Sequence, residues 1–337
     1  MLTLYARIVQ PIAGGLEGLK AALQTAIELE HATLPPYLYA LYSIRAGTNQ
    51  RLTQLILSIV LEEMLHLAIA CNILNAIGGQ PSINRPDFIP GYPGPLPGVT
   101  GDINVPLAPL SKSLIHDVFM EIEKPETPLS FPVKNLSLLG LNIARTIGQF
   151  YQGIKEQLIL LAGEGNIFIG QPFRQLTVGL PGLTRINDLQ SALAAIGLIV
   201  EQGEGTATTP LNALEKPAHY YSFAAAYHGK ELIPQAGEPP FAYAGADIPI
   251  EEDNIKRLIV NPTPDDYLGT DAMPANQQFN KTYTKLLETL QKTFNGNPMS
   301  IIGAIGMMQQ LKGEAATLTE IKLPSGLLAG PTFTYTP

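Results

Sequence analysis

Between residues 50 and 77, Leu52, Ile56, Ile59, Ala70, Ile73 and Ile77 recur at three- and four-residue spacing. That is the period of a helix with one buried face. Glu63 and His66 fall in the same phase, three residues apart, so both side chains belong to the apolar face. An ionised carboxylate there is strongly disfavoured unless it is paired or bound to metal. Glu-x-x-His is a short pattern, and its bland reading is a surface glutamate beside a core-edge histidine. The charge content weighs against that reading. Only 15% of the 337 residues are charged, against about 25% in an ordinary soluble domain.

The preceding segment repeats the pattern. Residues 16–46 are striped by Leu16, Leu19, Leu23, Ile27, Leu34, Tyr37 and Leu41, and Glu30 falls in phase with them. Glu28 lies about 200° away on the helical wheel, on the face of Gln24 and Thr25, and reads as solvated. Glu62 is likewise off its stripe. His31 sits on the flank and reads as a hydrogen-bonded edge residue rather than a ligand. Tyr37, two turns after Glu30 on the same face, is a candidate hydrogen-bond donor or redox-active group; a plain core tyrosine is the alternative. Pro35 and Pro36 remove two backbone donors, which predicts a kink and freed carbonyls.

Further helices are predicted at 110–123, 135–162, 186–203 and from Pro217 to about 230. A hairpin over 275–294 and 299–312 is joined by Asn295-Gly-Asn-Pro298. Residues 78–109 hold fourteen Gly or Pro in thirty-two positions and read as an ordered crossover or lid over a pocket. Residues 232–273 read as irregular. Two long helices, a long crossover and more helices form the pattern of an all-α, ferritin-like four-helix bundle with an added C-terminal helical hairpin. The expectation is one domain over 1–337, with the bundle core at 16–230 and the extension 231–337 packed on it.

Such bundles hold paired iron or manganese with glutamates and Glu-x-x-His motifs. Glu30, Glu63 and His66 supply part of that set. Glu201 and Glu204 are a third source, because acids at a helix C-terminus oppose its dipole and need a reason. His219 is a fourth, but Lys216 stands where a second Glu-x-x-His needs its glutamate. The donor set suits one or two transition-metal ions, iron first, manganese or zinc as alternatives. Cys71 is the single cysteine and reads as a small buried side chain. A net charge of −8 without a basic patch argues against nucleic acid. No apolar run in the sequence reads as a membrane span, and the first residues do not read as a signal peptide. The expectation is a cytoplasmic protein acting on a small molecule, with the extra helices offering a surface for a homodimer.

Six segments in order carry a more specific resemblance: AIELEHATLPPYLYALYSI (26–44), EEMLHLAIACNILNAIGG (62–79), FMEIEKPE (119–126), TIGQFYQGI (146–154), IVEQGEGT (199–206) and HYYSF (219–223). They resemble the iminophenyl-pyruvate dimer synthase family, named for a domain of violacein and rebeccamycin biosynthesis enzymes that couples two amino-acid-derived imines. The resemblance runs from about residue 15 to GPTFTY and implies metal ligands at Glu30, Glu63, His66, the Glu201/Glu204 pair and His219. It departs at Gln149, where the family carries a glutamate. An amide weakens hard-cation binding, so the site holds one metal, or two with Glu201 or Glu204 compensating, or is degenerate. Three functions are therefore in play: a metal-dependent oxidoreductase or oxidative coupling enzyme on a small amino-acid-derived substrate, the dimer synthase reaction itself, and a non-enzymatic scaffold with a structural metal.

Overall fold

The computed structural model describes residues 3–4, 14–97, 99–100, 103–125, 147–206 and 208–336. Eight helices organise them. Helix α1 is Gly15–Ser43 and α2 is Gln50–Ala76. Residues 112–122 form α3, three short pieces with a π-turn at Ile115–Phe119. Then come α4 (Ile147–Glu164), α5 (Leu189–Gly203), α6 (His219–His228), α7 (Ala272–Phe294) and α8 (Ile301–Leu318). The predicted start of the third long helix, 135–146, lies outside the described residues.

Helices α1, α2, α4 and α5 pack as a four-helix bundle, each against two others. The α7–α8 hairpin is joined to it by a continuous core. Leu23, Ile56, Ile154 and Ile196 of the bundle belong to one apolar cluster with Phe279, Leu287 and Leu311 of the hairpin. An 18-residue window of α2 has mean hydropathy 1.7, apolar and long enough to cross a membrane, but 72% of it is buried inside the protein. Burial among the other helices accounts for that apolarity.

Two local readings need correction, and a third is met in part: helix α1 continues as one element through Pro35 and Pro36, and a carbonyl is freed there as expected. Pro36 leaves the Ala32 carbonyl without its helical donor, and Tyr92 of the crossover donates its hydroxyl to that oxygen at 2.7 Å. Residues 232–273 are not all irregular: strands Lys230–Pro234 and Phe241–Asp247 pair as an antiparallel hairpin. Pro234, Pro239 and Pro240 disguise those strands in the sequence. Among the described residues, none of the crossover 78–109 lines the cavity described below. Phe88 stacks on His31 at 4.5 Å, and Arg85 pairs with Glu28 on the outer side of α1.

The C-terminal segment is bound to α7 by a regular ladder. Asn276 Oδ1 and Asn280 Oδ1 accept from the Thr332 and Thr334 N–H groups at 3.1 Å, and Thr284 Oγ1 accepts from the Thr336 N–H at 2.8 Å. Four helical residues advance about 6 Å and two extended residues about 6.6 Å. The two repeats therefore stay in step.

Candidate metal centre

The buried acids converge at the heart of the bundle. Helix α1 supplies Glu30, α2 supplies Glu63 and His66, the end of α3 supplies Glu123, and the first residue of α6 is His219. All five are buried. Their ligand atoms form two triads, Glu30–Glu63–His66 and Glu63–Glu123–His219, which share Glu63.

One oxygen of Glu63 serves both triads. Its Oε1 lies 2.9 Å from His219 Nδ1 and 3.7 Å from His66 Nδ1. Its Oε2 is 3.0 Å from the Thr33 hydroxyl. Glu30 and Glu123 are each split the same way. Tyr151 donates to Glu30 Oε1 and Tyr37 to Glu123 Oε1, both at 2.5 Å. That leaves Glu30 Oε2 at 3.6 Å from His66 Nδ1, and Glu123 Oε2 at 3.6 Å from His219 Nδ1. The imidazoles are oriented from behind. His66 Nε2 donates to Gln202 Oε1 and His219 Nε2 to Glu62 Oε2, each at 2.9 Å. The rings stack with centroids 5.5 Å apart.

Electrostatics show what the arrangement lacks. Burial, then the charge of Glu123, pushes the Glu63 carboxyl up to about 7. Burial alone would lower the histidines, but their hydrogen bonds to the surrounding carboxylates outweigh it and raise both. Tyr37 and Tyr151 are raised by burial and by the carboxylates they bind, and stay protonated donors. Three carboxylates facing one dry space want a cation.

The residues fit a metal. His219 Nδ1 is buried and has no aligned hydrogen-bond partner, although Glu63 Oε1 is close. Bonds of about 2.1 Å put neighbouring ligand atoms about 3.0 to 3.4 Å apart, and the observed 2.9 to 3.7 Å spans that range. Carboxylate oxygen and imidazole nitrogen are a donor set for iron, manganese or zinc.

A family model described as Ferritin-like matches residues 23–228. The chain belongs to the ferritin-like family. A crystal structure of a ferritin-like protein from Caulobacter vibrioides shares the fold, with TM-score 0.60 and 23% identity over 94% of this chain and 97% of that one. This ferritin-like chain is also 26% identical, over 93% of its length, to the dichlorochromopyrrolate synthase of Lentzea aerocolonigenes. It spans about a third of that relative, 35% of its length.

The sequence-derived candidates divide in two. Glu30, Glu63, His66 and His219 come together, with Tyr37 as a donor to a ligand. Glu204 lines the same cavity but belongs to neither triad. Its Oε1 accepts from the Gly148 N–H at 2.8 Å, and a side chain at 148 would collide with its carboxylate. Glu201, half-buried on the last turn of α5, is in neither triad and does not line the cavity.

His31 is not on an edge: it is buried, and its Nε2 and the Tyr283 hydroxyl share a hydrogen bond at 2.8 Å. Glu62, read as lying off the apolar stripe, holds His219. Three contributors were missed. Glu123 could have been found on the edge of the Ile115, Phe119 and Ile122 stripe, within the width of one helix face. Gln202 and Tyr151 left no signal beyond being polar groups in apolar helices.

Proposed function

We propose that the protein is a dinuclear, non-haem metal-dependent oxidoreductase or oxidative coupling enzyme acting on a small amino-acid-derived molecule. The observation that carries this reading is the pair of buried triads sharing Glu63 Oε1. A relative whose name is that of a biosynthetic synthase supports it. Glu30, Glu63 and His66 would hold one ion; Glu63, Glu123 and His219 would hold the other. Iron or manganese there would supply redox or Lewis-acid chemistry. The chain's own contribution is to hold each terminal glutamate by one oxygen through a tyrosine, to fix both histidine tautomers and to keep the site dry.

The finer reading is the iminophenyl-pyruvate dimer synthase reaction, which the six sequence segments favour. The test purifies the protein without chelator, measures metal content, and reconstitutes with Fe(II) or Mn(II). A coupled assay then uses an L-amino-acid oxidase with tryptophan or phenylalanine. Two equivalents of metal and a dimer yield above the uncatalysed background support the proposal. Less than about a tenth of an equivalent after reconstitution sinks the metal reading. A dimer yield equal to background sinks the synthase reading alone.

A second reading, a scaffold with a structural metal, is favoured by one observation. The cavity at the centre is about 20 Å³ among the described residues, room for little more than a water. Under this reading, His66→Ala lowers thermal stability strongly, and no candidate substrate changes the spectrum of the metal-loaded protein.

A further inference from the structure

The two halves of the centre match part for part. Each has a terminal glutamate whose Oε1 is taken by a tyrosine hydroxyl at 2.5 Å. Each has a histidine whose Nδ1 faces the shared Glu63 Oε1. Each histidine passes its Nε2 proton toward an acceptor at 2.9 Å.

The acceptors themselves differ. Behind His66 stands Gln202, a neutral amide. Behind His219 stands Glu62, a carboxylate. Position explains why a charge is tolerated at one and not the other. The Glu62 side chain is 21% exposed, so its carboxylate keeps contact with water, whereas Gln202 is buried between α2 and α5.

The difference reaches the metal side of the rings. A carboxylate that accepts the Nε2 proton raises the electron density and basicity of the imidazole, and so strengthens Nδ1 as a ligand. An amide does so far less. The ligand atoms are also closer on the Glu62 side, 2.9 Å from His219 Nδ1 to Glu63 Oε1 against 3.7 Å for His66.

We infer that the two metal positions are inequivalent and fill in a fixed order: the Glu63–Glu123–His219 position first, the Glu30–Glu63–His66 position second, with Glu62 setting the order. This rests on the two-metal reading of the centre. Glu62 and Gln202 are positioning residues under this inference, acting through the histidines they hold. Partners of this kind change metal affinity about 10- to 100-fold, and that is the expected separation.

The experiment titrates the chelator-stripped full-length chain with Co(II), following its visible absorption and competing it against a chelating dye. The wild type should take up two ions in two steps. His66→Ala should remove the weaker step and keep the tighter one, and His219→Ala should do the opposite. Glu62→Gln, which keeps the shape of the side chain, should weaken the tight step about 10- to 100-fold and leave the other in place. Gln202→Glu is the reciprocal variant and should tighten the weak step.

Two bound ions with Glu62→Gln within about twofold of wild type at the tight step would overturn the inference. So would loss of the tight step in His66→Ala. Failure of the wild type to bind any Co(II) overturns the metal reading itself, a different result from two ions bound in the wrong order.

Discussion

Chelator-stripped protein should lose stability as the pH rises from 5 to 8, and Glu63→Gln should flatten that loss. The Glu63 carboxyl is pushed from its ordinary 4.5 up to about 7, first by burial and then by the charge of Glu123. A group raised in this way contributes stability that is complete below 4.5 and lost as the pH climbs through 7. For Glu63 alone the loss between pH 5 and 8 is about 2 to 3 kcal/mol. His66 and His219 have the same sign. Burial opposes their protonation, but the carboxylates beside them win, and both are held above 6.5. Their contribution is present below 6.5 and lost as the pH rises through their folded values. Gln at 63 removes one ionisation and withdraws a carboxylate partner from both rings, so every effect flattens the slope. Urea unfolding followed by circular dichroism at pH 5 and pH 8 measures it, and the Glu63 share should appear in melting as a difference of about 3 to 4 °C. Equal pH-dependent losses in stripped wild type and Glu63→Gln would refute the reasoning. Adding Mn(II) should reverse the wild-type trend, because the ligands must lose their protons to bind.

Three further outcomes follow from single contacts. Tyr151→Phe removes the donor to Glu30 Oε1 and should weaken metal at the His66 position about 10- to 100-fold; equilibrium dialysis should show the His219 position unchanged. Tyr92→Phe strips the Ala32 carbonyl of its donor and should cost about 1 to 3 kcal/mol in thermal denaturation, with Pro36→Ala in the same background recovering much of it by restoring a backbone N–H. His31 is pushed down to about 3 by burial. The folded state therefore refuses a proton that the unfolded chain accepts near 6.5, and stability falls by about 2 kcal/mol from pH 7 to pH 5. His31→Gln should abolish that share in urea unfolding of the metal-loaded protein.

The long helices were legible because a stripe of six or seven apolar positions over nearly thirty residues averages out single exceptions. The observed α1, Gly15–Ser43, and α2, Gln50–Ala76, lie within three residues of the segments read from periodicity. Glu30, Glu63 and His66 were found by the same route, each as a polar group in phase with many apolar ones. The strand pair at Lys230–Pro234 and Phe241–Asp247 was not. Five and seven residues broken by prolines carry too little alternation to outweigh a loop.

The other half of the centre gave a weaker signal for a related reason that bears on how it works. Glu123 caps the end of the short α3, and His219 opens α6. Phase has meaning only along a helix, so a residue at a terminus signals weakly: Glu123 lay at the edge of a short stripe, and His219 stood out as a first-turn histidine rather than by phase. A second Glu-x-x-His is missing because this chain brings its second glutamate and second histidine from two different elements. That looser construction needs bonds to hold it. Glu123 is fixed by Tyr37, which is in turn wedged between Phe119 at 4.7 Å and Phe223 at 5.3 Å. His219 is fixed by Glu62. The amide at Gln149 therefore does not leave the centre short of acids: Glu30, Glu63 and Glu123 are all in place. The carboxylate behind His219 is one that periodicity placed off the apolar stripe. Glu62 is adjacent to the shared ligand and turned about 100° from it around the helix, and that turn is what lets it reach the back of His219 while Glu63 faces the front.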